Sequence, residues 1–175
     1  DVYKRQIENT DLSEINISGC KELRSISFSF AKLGAINFTN TPSLRYISLD
    51  NATVASLKWS YLPNLTDLDL RNAKYGGSLD LSNFPNLEYL ECASNNLSSL
   101  DLSHVPNLKT LFCRGNDLGS LDLQKVPHLE EIYCEECNLA SLDVSALTSL
   151  KTLQCSNNKI SNLDLSKVPY LEDLY

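Results

Sequence analysis

LEYLECASNNL, residues 87–97, is followed by three stretches built on the same pattern: LKTLFCRGNDL (108–118), LEEIYCEECNL (129–139) and LKTLQCSNNKI (150–160). The shared template is L-x-x-L-x-C-x-x-N-x-L, and its cysteines recur every 21 residues. A second short apolar element, L-D-L or L-D-V, follows each stretch. Self-similarity at a fixed period of this length predicts a repeat protein.

The same frame extends toward the N-terminus through LRSISFSFAKL (23–33), LRYISLDNATV (44–54) and LTDLDLRNAKY (65–75). All prolines of the chain occupy one column, two residues before the Leu that opens a unit. They are Pro42, Pro63, Pro85, Pro106, Pro127 and Pro169. We therefore predict about eight coils of 21–22 residues.

The alternation of apolar residues within L-x-x-L-x-C is typical of a half-buried strand. Successive coils would stack these strands into a parallel sheet with a spacing of about 4.8 Å. The L-D-L element predicts a second, shorter strand on the opposite side. The sequence thus predicts a mainly β solenoid with little helix, in which each coil depends on its neighbours.

The template resembles the leucine-rich repeat, whose consensus is close to L-x-x-L-x-L-x-x-N/C-x-L. With Cys at the third apolar position, the unit is similar to repeats of the bacterial internalin family and of leucine-rich surface proteins of Bacteroidetes-type bacteria. The resemblance implies a right-handed solenoid, a secreted or cell-surface location, and an Asn that bonds the backbone of the adjacent turn. Three N-terminal coils replace this Asn, which predicts a less regular corner, at Ala31, Ala52 and Ala73.

Cys134 and Cys137 form a Cys-x-x-Cys pair, a spacing typical of zinc or redox sites. The template explains both residues, because Cys134 lies in the third apolar column and Cys137 in the Asn column. We therefore expect Cys92, Cys113, Cys134, Cys137 and Cys155 to be reduced and buried, and Cys20 to lie in the core. A metal site, a redox site and disulfides remain as alternatives.

An aspartate column recurs in the L-D-L elements, at Asp80, Asp101, Asp122, Asp143 and Asp164. Stacked carboxylates repel one another, so calcium is one interpretation. A solvated edge is the other, and we favour it because Asn16, Asn37 and Lys58 occupy the same column and show that it does not require a carboxylate. We expect no metal and no cofactor.

Residues 1–6, DVYKRQ, are what the codons of a sequencing-library adapter encode, and the template first recovers at Ile7. We expect residues 1–6 to be an adapter-derived scar and residues 7–175 to be one leucine-rich repeat domain, truncated at both ends. The alternative is a genuine N-terminus with a degenerate first coil.

Composition restricts the possible functions. The hydrophobic fraction of 42% and charged fraction of 21% fit neither a disordered nor a membrane-spanning chain. The net charge of −7 argues against nucleic acid as a partner, and direct membrane insertion is not expected. The chain has two histidines and no Gly-x-Ser-x-Gly, phosphate-binding glycine loop or H-E-x-x-H motif, so we predict that it is not an enzyme.

We predict a non-catalytic recognition or adhesion module that binds a protein or carbohydrate on the concave face of the main sheet. The alternative is a structural spacer in a larger surface protein. The predicted binding residues are the exposed positions that flank the inward Leu and Cys. They are Tyr46, Asp67, Asp69, Arg71, Tyr89, Glu91, Phe112, Arg114, Glu131, Tyr133 and Glu135.

Overall fold

The computed structural model describes residues 4–8 and 10–175, and the side chains of residues 10–54 and 59–175. Its largest element is a nine-stranded parallel sheet, the main sheet, to which each successive coil contributes one strand. In spatial order the strands are β1 (Lys4–Glu8), β3 (Ser25–Ser29), β5 (Tyr46–Ser48), β7 (Asp67–Asp69), β9 (Tyr89–Glu91), β11 (Thr110–Phe112), β12 (Glu131–Tyr133), β13 (Thr152–Gln154) and β14 (Asp173–Leu174). The described residues contain no helix, and the predicted mainly β solenoid is confirmed.

Equivalent residues of successive coils face one another across the main sheet. Leu68 pairs with Leu90, Leu90 with Leu111, and Leu111 with Ile132. All four side chains are fully buried. A one-residue slip would turn this apolar column toward solvent, so burial of the column fixes the register of every strand.

The second strands differ from the prediction. In the N-terminal coils they are six residues long and form a separate parallel sheet of β2 (Asp11–Asn16), β4 (Lys32–Asn37) and β6 (Thr53–Lys58). In the next coils β8 (Gly77–Leu79) and β10 (Leu97–Leu100) pair with each other and end at the first Leu of L-D-L. The L-D-L elements that begin at residues 121, 142 and 163 form no strand.

The aspartate of L-D-L explains why these strands stop. Its Oδ1 accepts a hydrogen bond from the N–H two residues later, which closes an Asx turn. The bonds measure 2.9 Å at Asp80, Asp101, Asp122, Asp143 and Asp164. Hydrogen bonds from Ser82 hold the pKa of Asp80 below its usual value. Asn16 and Asn37 close the same turn, so a neutral side-chain oxygen serves as well as a carboxylate.

The cysteines lie in the core with two exceptions. All six cysteines are free thiols, and Cys92, Cys113, Cys134 and Cys137 are buried as predicted. Burial raises the pKa of Cys92 above its usual value. Cys155 is only half-buried, and the prediction that Cys20 lies in the core is wrong, because its side chain is exposed. Within the described residues, only one neighbouring coil packs against the coil of Cys20.

The template Asn forms the corner of the later coils. Asn116 Nδ2 donates to the carbonyl oxygens of Cys92 at 3.0 Å and Cys113 at 2.8 Å. Its Oδ1 accepts from the N–H of Asn95 at 3.2 Å and of Leu97 at 2.9 Å. At the equivalent position Cys137 Sγ approaches the Cys113 carbonyl oxygen at 3.1 Å.

In the N-terminal coils, different hydrogen bonds form this corner. Ala31 and Ala52 are buried, and the six-residue strands β4 and β6 begin directly after them. The N–H of Thr53 donates to the Ala31 carbonyl at 2.9 Å, so backbone pairing replaces the Asn side chain. The predicted irregularity is therefore a change from side-chain to backbone hydrogen bonding.

Candidate functional site: the outward face of the main sheet

The outward face of the main sheet carries three columns of side chains between β5 and β14, called here the sheet surface. The first column holds Tyr46, Asp67, Tyr89, Thr110, Glu131, Thr152 and Asp173, and the second holds Ser48, Asp69, Glu91, Phe112, Tyr133, Gln154 and Tyr175. The third column follows the strand ends with Asp50, Arg71, Ala93, Arg114, Glu135 and Ser156. All predicted binding residues lie in these columns.

An aromatic cluster forms the centre of the sheet surface. The rings of Phe112 and Tyr133 stack with centroids 4.1 Å apart and planes 9° apart. Tyr89 lies against Phe112 at 5.7 Å with a tilt of 49°. The three side chains are half-buried, because each ring covers part of its neighbour. Adjacent parallel strands thus bring together three rings separated by more than twenty residues along the chain.

The prediction that Glu91 is an exposed carboxylate is wrong. It is 7% exposed, and its Oε1 accepts a hydrogen bond from the N–H of Ala93 at 2.8 Å. Burial, with a contribution from the charge of Asp69, raises the pKa of Glu91 to about 7. Burial also raises the pKa of Tyr89 to about 12. The second column is therefore largely removed from solvent at this point, which the alternation of the sequence does not reveal.

The raised pKa of Glu91 predicts a pH-dependent stability. The folded state holds the Glu91 proton more tightly than the unfolded state, so the contribution of this residue is most favourable below its ordinary pKa near 4.5 and is lost as the pH rises toward 7. Replacement by Gln removes that loss. We expect Glu91→Gln to stabilise the chain by about 1–2 kcal/mol more at pH 8 than at pH 4.5, allowing for partial solvent screening. Urea unfolding at the two pH values measures the difference.

Glu22→Gln is the matched control, because Glu22 is exposed and lies before β3. The control variant should show no such change between the two pH values. A stability gain of Glu91→Gln that is equal at pH 4.5 and pH 8 contradicts the assignment.

Glu135 is the second predicted site residue that proves to be buried. Its side chain is 9% exposed, and its buried Oε2 has no hydrogen-bond partner in the described part of the chain. Arg114 occupies the same column on the preceding coil, but its Nη2 bonds Glu136 at 2.8 Å. The sheet surface therefore contains a buried carboxylate oxygen that lacks a donor.

A shallow groove of about 640 Å³ lies over β3, β5 and β7, with serines on its floor. Arg71 Nε bonds Asp50 at 2.9 Å on one side of it, and Ser48 donates to Asp69 Oδ2 at 3.1 Å. Burial raises the pKa of Asp69 above its usual value. The predicted residues Tyr46, Asp67, Asp69 and Arg71 therefore line one polar groove beside the aromatic cluster.

Sequence reasoning missed an ion-pair column directly before the strands. Lys109 Nζ bonds Glu88 at 2.7 Å, and Lys151 Nζ bonds Glu130 at 2.5 Å. The signal in the sequence was the alternation of Glu and Lys one residue before the first-column positions from Tyr89 to Asp173. These exposed pairs contribute little stability, but they neutralise one edge of the sheet surface.

Neither a metal centre nor a membrane span is present among the residues that the structure describes. They include no group of three or more His, Cys, Asp or Glu side chains placed to hold a metal ion. They also include no helix with the length and hydrophobicity required to cross a bilayer.

A family model described as leucine-rich repeats in two copies matches residues 85–125 and 127–167. These residues are similar to leucine-rich repeats. The matched residues include β9 to β13, the part of the chain in which the Asn and Cys columns are most regular. No curated protein matches the sequence.

Solved leucine-rich repeat structures share the fold. The functional domain of the internalin InlJ from Listeria monocytogenes, described as including a cysteine ladder, superposes with a TM-score of 0.69 at 23% identity, over 93% of this chain and 43% of that one. A leucine-rich repeat protein of Leptospira interrogans superposes with a TM-score of 0.71 at 21% identity, over 89% of this chain and 49% of that one. The internalin InlF from L. monocytogenes superposes with a TM-score of 0.71 at 22% identity, over 88% of this chain and 48% of that one. The chain thus spans about half the length of these structures.

Proposed function

We propose that the chain is a non-catalytic recognition module that binds a protein partner on its sheet surface, centred on Tyr89, Phe112 and Tyr133. The observation that carries the proposal is the stacked aromatic cluster on the outward face of the main sheet. Nothing in the inward packing of the coils requires rings at these positions, since equivalent outward positions on other strands hold residues without a ring, among them Ser48, Thr110 and Gln154. Aromatic residues with polar surroundings are typical of the anchors of protein interfaces.

The proposal extends to location and origin. The fold is shared with two internalins of L. monocytogenes and with a protein of L. interrogans, so we infer a bacterial protein that acts at the cell surface or after secretion. A carbohydrate partner is the alternative ligand, because flat aromatic rings also suit sugar rings. A structural spacer is the alternative role, and it predicts no selective binding by the sheet surface.

The test is a triple substitution, Tyr89→Ser, Phe112→Ser and Tyr133→Ser. We expect it to reduce retention of extracellular proteins on the immobilised chain by at least about tenfold, because each interface anchor contributes about 1–2 kcal/mol or more. A matched control replaces three exposed aromatic residues outside the cluster, Phe30, Tyr61 and Tyr170, by Ser. The control should retain the same proteins as the wild type.

Thermal unfolding of both triple variants checks the fold. If the cluster variant unfolds, Phe112→Leu keeps the apolar volume while removing the stacked ring, and the binding comparison is made with it. Equal retention of proteins by the wild type, the folded cluster variant and the control would contradict the recognition module and favour the structural spacer.

A further inference from the structure

We propose that the C-terminal part of the sheet surface is a cation-binding cleft that receives an arginine or lysine side chain of the partner. The cleft lies over β13, between Tyr133 on β12 and Tyr175 after β14. This inference rests on the proposed function and names the chemistry of the partner. The orientation of one ring, the carboxylates around it and the charge of the sheet surface support it.

The orientation of Tyr133 leaves one ring face toward β13. Its plane lies 9° from that of Phe112, and the centroids are 4.1 Å apart, close to one strand spacing, so the two rings stack along the direction that crosses the strands. Phe112 therefore covers one face of Tyr133. The opposite face is directed to β13, where Gln154 occupies the same column.

Tyr175 lies on the other side of the cleft. Its N–H donates to the Leu153 carbonyl at 3.0 Å and its carbonyl accepts from the N–H of Cys155 at 2.9 Å, which places it beside Gln154. Tyr133 and Tyr175 are thus two strand spacings apart, about 10 Å. That gap accommodates a flat guanidinium or an ammonium group against the Tyr133 ring face, beside Gln154. A cation over an aromatic face is attracted by the ring quadrupole.

Carboxylates lie at both ends of the cleft. Glu131 accepts a hydrogen bond from the Tyr133 hydroxyl at 3.3 Å, and Asp173 is exposed across Thr152 from it. At the other end, Glu135 holds the buried Oε2 that has no donor among the described residues. A guanidinium carries five N–H donors, enough to bond Glu131 and Asp173 while it lies against the Tyr133 ring.

The charge of the whole sheet surface favours the same ligand. Its three columns carry seven carboxylates against two arginines. The carboxylates are those of Asp50, Asp67, Asp69, Glu91, Glu131, Glu135 and Asp173. The two arginines, Arg71 and Arg114, are each already paired with a carboxylate. An approaching basic segment is attracted over the whole surface and finds its specific contacts in the cleft.

The experiment titrates the full chain with N-acetyl-arginine methylamide and, as a matched ligand, with the neutral isostere N-acetyl-citrulline methylamide. NMR signals of the Gln154 side-chain amide and the Tyr133 ring report on the cleft. We expect saturable shifts with the arginine derivative and at least about tenfold weaker binding of the citrulline derivative, because the ligand charge interacts with the Tyr133 ring and the carboxylates. Tyr133→Leu and Glu131→Gln should each weaken arginine binding about fivefold or more.

Glu22→Gln removes one negative charge far from the cleft and should leave arginine binding unchanged. The proposed cleft would be contradicted by equal affinity for the two ligands or by shifts that rise linearly without saturation. An equal loss of arginine binding in Glu22→Gln would also contradict it. If those results appear while the aromatic triple variant still loses its protein partners, the sheet surface is a recognition site whose partner is not cationic. If the triple variant retains its partners, the recognition module itself fails.

Discussion

Replacing Phe84 by Ala is expected to lower the free energy of unfolding by about 4 kcal/mol. Phe84 is fully buried, and its ring meets Trp59 edge to face with centroids 5.1 Å apart. Trp59 in turn stacks on Phe38 at 5.4 Å. The substitution removes a large apolar side chain from a close-packed core, leaves a cavity and breaks the aromatic contact. Because the three rings come from successive coils, the loss weakens the interfaces between coils on which a solenoid depends.

Urea unfolding followed by fluorescence measures this loss, since Trp59 is the single tryptophan of the chain and lies in contact with the substituted residue. Phe30→Ala is the matched control: the same side chain is removed from a position that is 61% exposed. The control should change the free energy of unfolding by less than about 1 kcal/mol. Similar losses in the two variants would contradict the assignment of Phe84 to the core.

The sequence predicts the main sheet well because its signal is repeated in every coil. Leu90, Leu111 and Ile132 each face the interior, and a strand with one buried face must keep alternate residues apolar. The same repetition is enough to place Phe112 and Tyr133 side by side on adjacent strands. Period and alternation together determine which residues are neighbours across strands.

Other features depend on contacts that alternation does not encode. The L-D-L elements have the apolar spacing of a strand, but the Oδ1 of Asp122 or Asp143 closes a turn instead. Glu91 lies at an outward position and is nevertheless buried, because covering depends on the size and direction of neighbouring side chains. Cys20 occupies a core column, but within the described part of the chain its coil has a neighbouring coil on one side only. In each case local hydrogen bonding or neighbouring coils override the pattern.

For the predicted binding residues, too, the sequence predicts some features and not others. The pattern places all of them on one face, and the structure adds that Tyr89, Phe112 and Tyr133 are in contact while Glu91 and Glu135 are largely buried. Their role in binding stays a prediction. The unpaired Oε2 of Glu135 could not be inferred from the sequence, because Arg114 is in the matching column and bonds Glu136 instead.

Replacing Asn116 by Ala is expected to cost about 3 kcal/mol, more than any single change at an exposed site. Asn116 is 3% exposed and makes four hydrogen bonds to the backbone. The Cys92 carbonyl retains the amide of Asn95 at 2.9 Å, and the Cys113 carbonyl retains the thiol of Cys137. The N–H groups of Asn95 and Leu97 lose the Asn116 acceptor, and a buried donor without a partner costs about 1–3 kcal/mol.

Cys137→Ala provides the control at the equivalent corner of the next coil. Cys137 Sγ makes only weak contacts, to the carbonyl oxygens of Cys113 at 3.1 Å and Glu135 at 3.5 Å, so its removal should cost about 1 kcal/mol for a small cavity. Urea unfolding of both variants gives the comparison, and amide hydrogen exchange at Leu97 tests its cause, because exchange there should accelerate in Asn116→Ala alone. If Asn116→Ala were no more destabilising than Cys137→Ala, backbone pairing like that of the Ala31 and Ala52 coils would have to form at this corner as well. Such pairing would make the Asn column a preference of the fold and not a requirement.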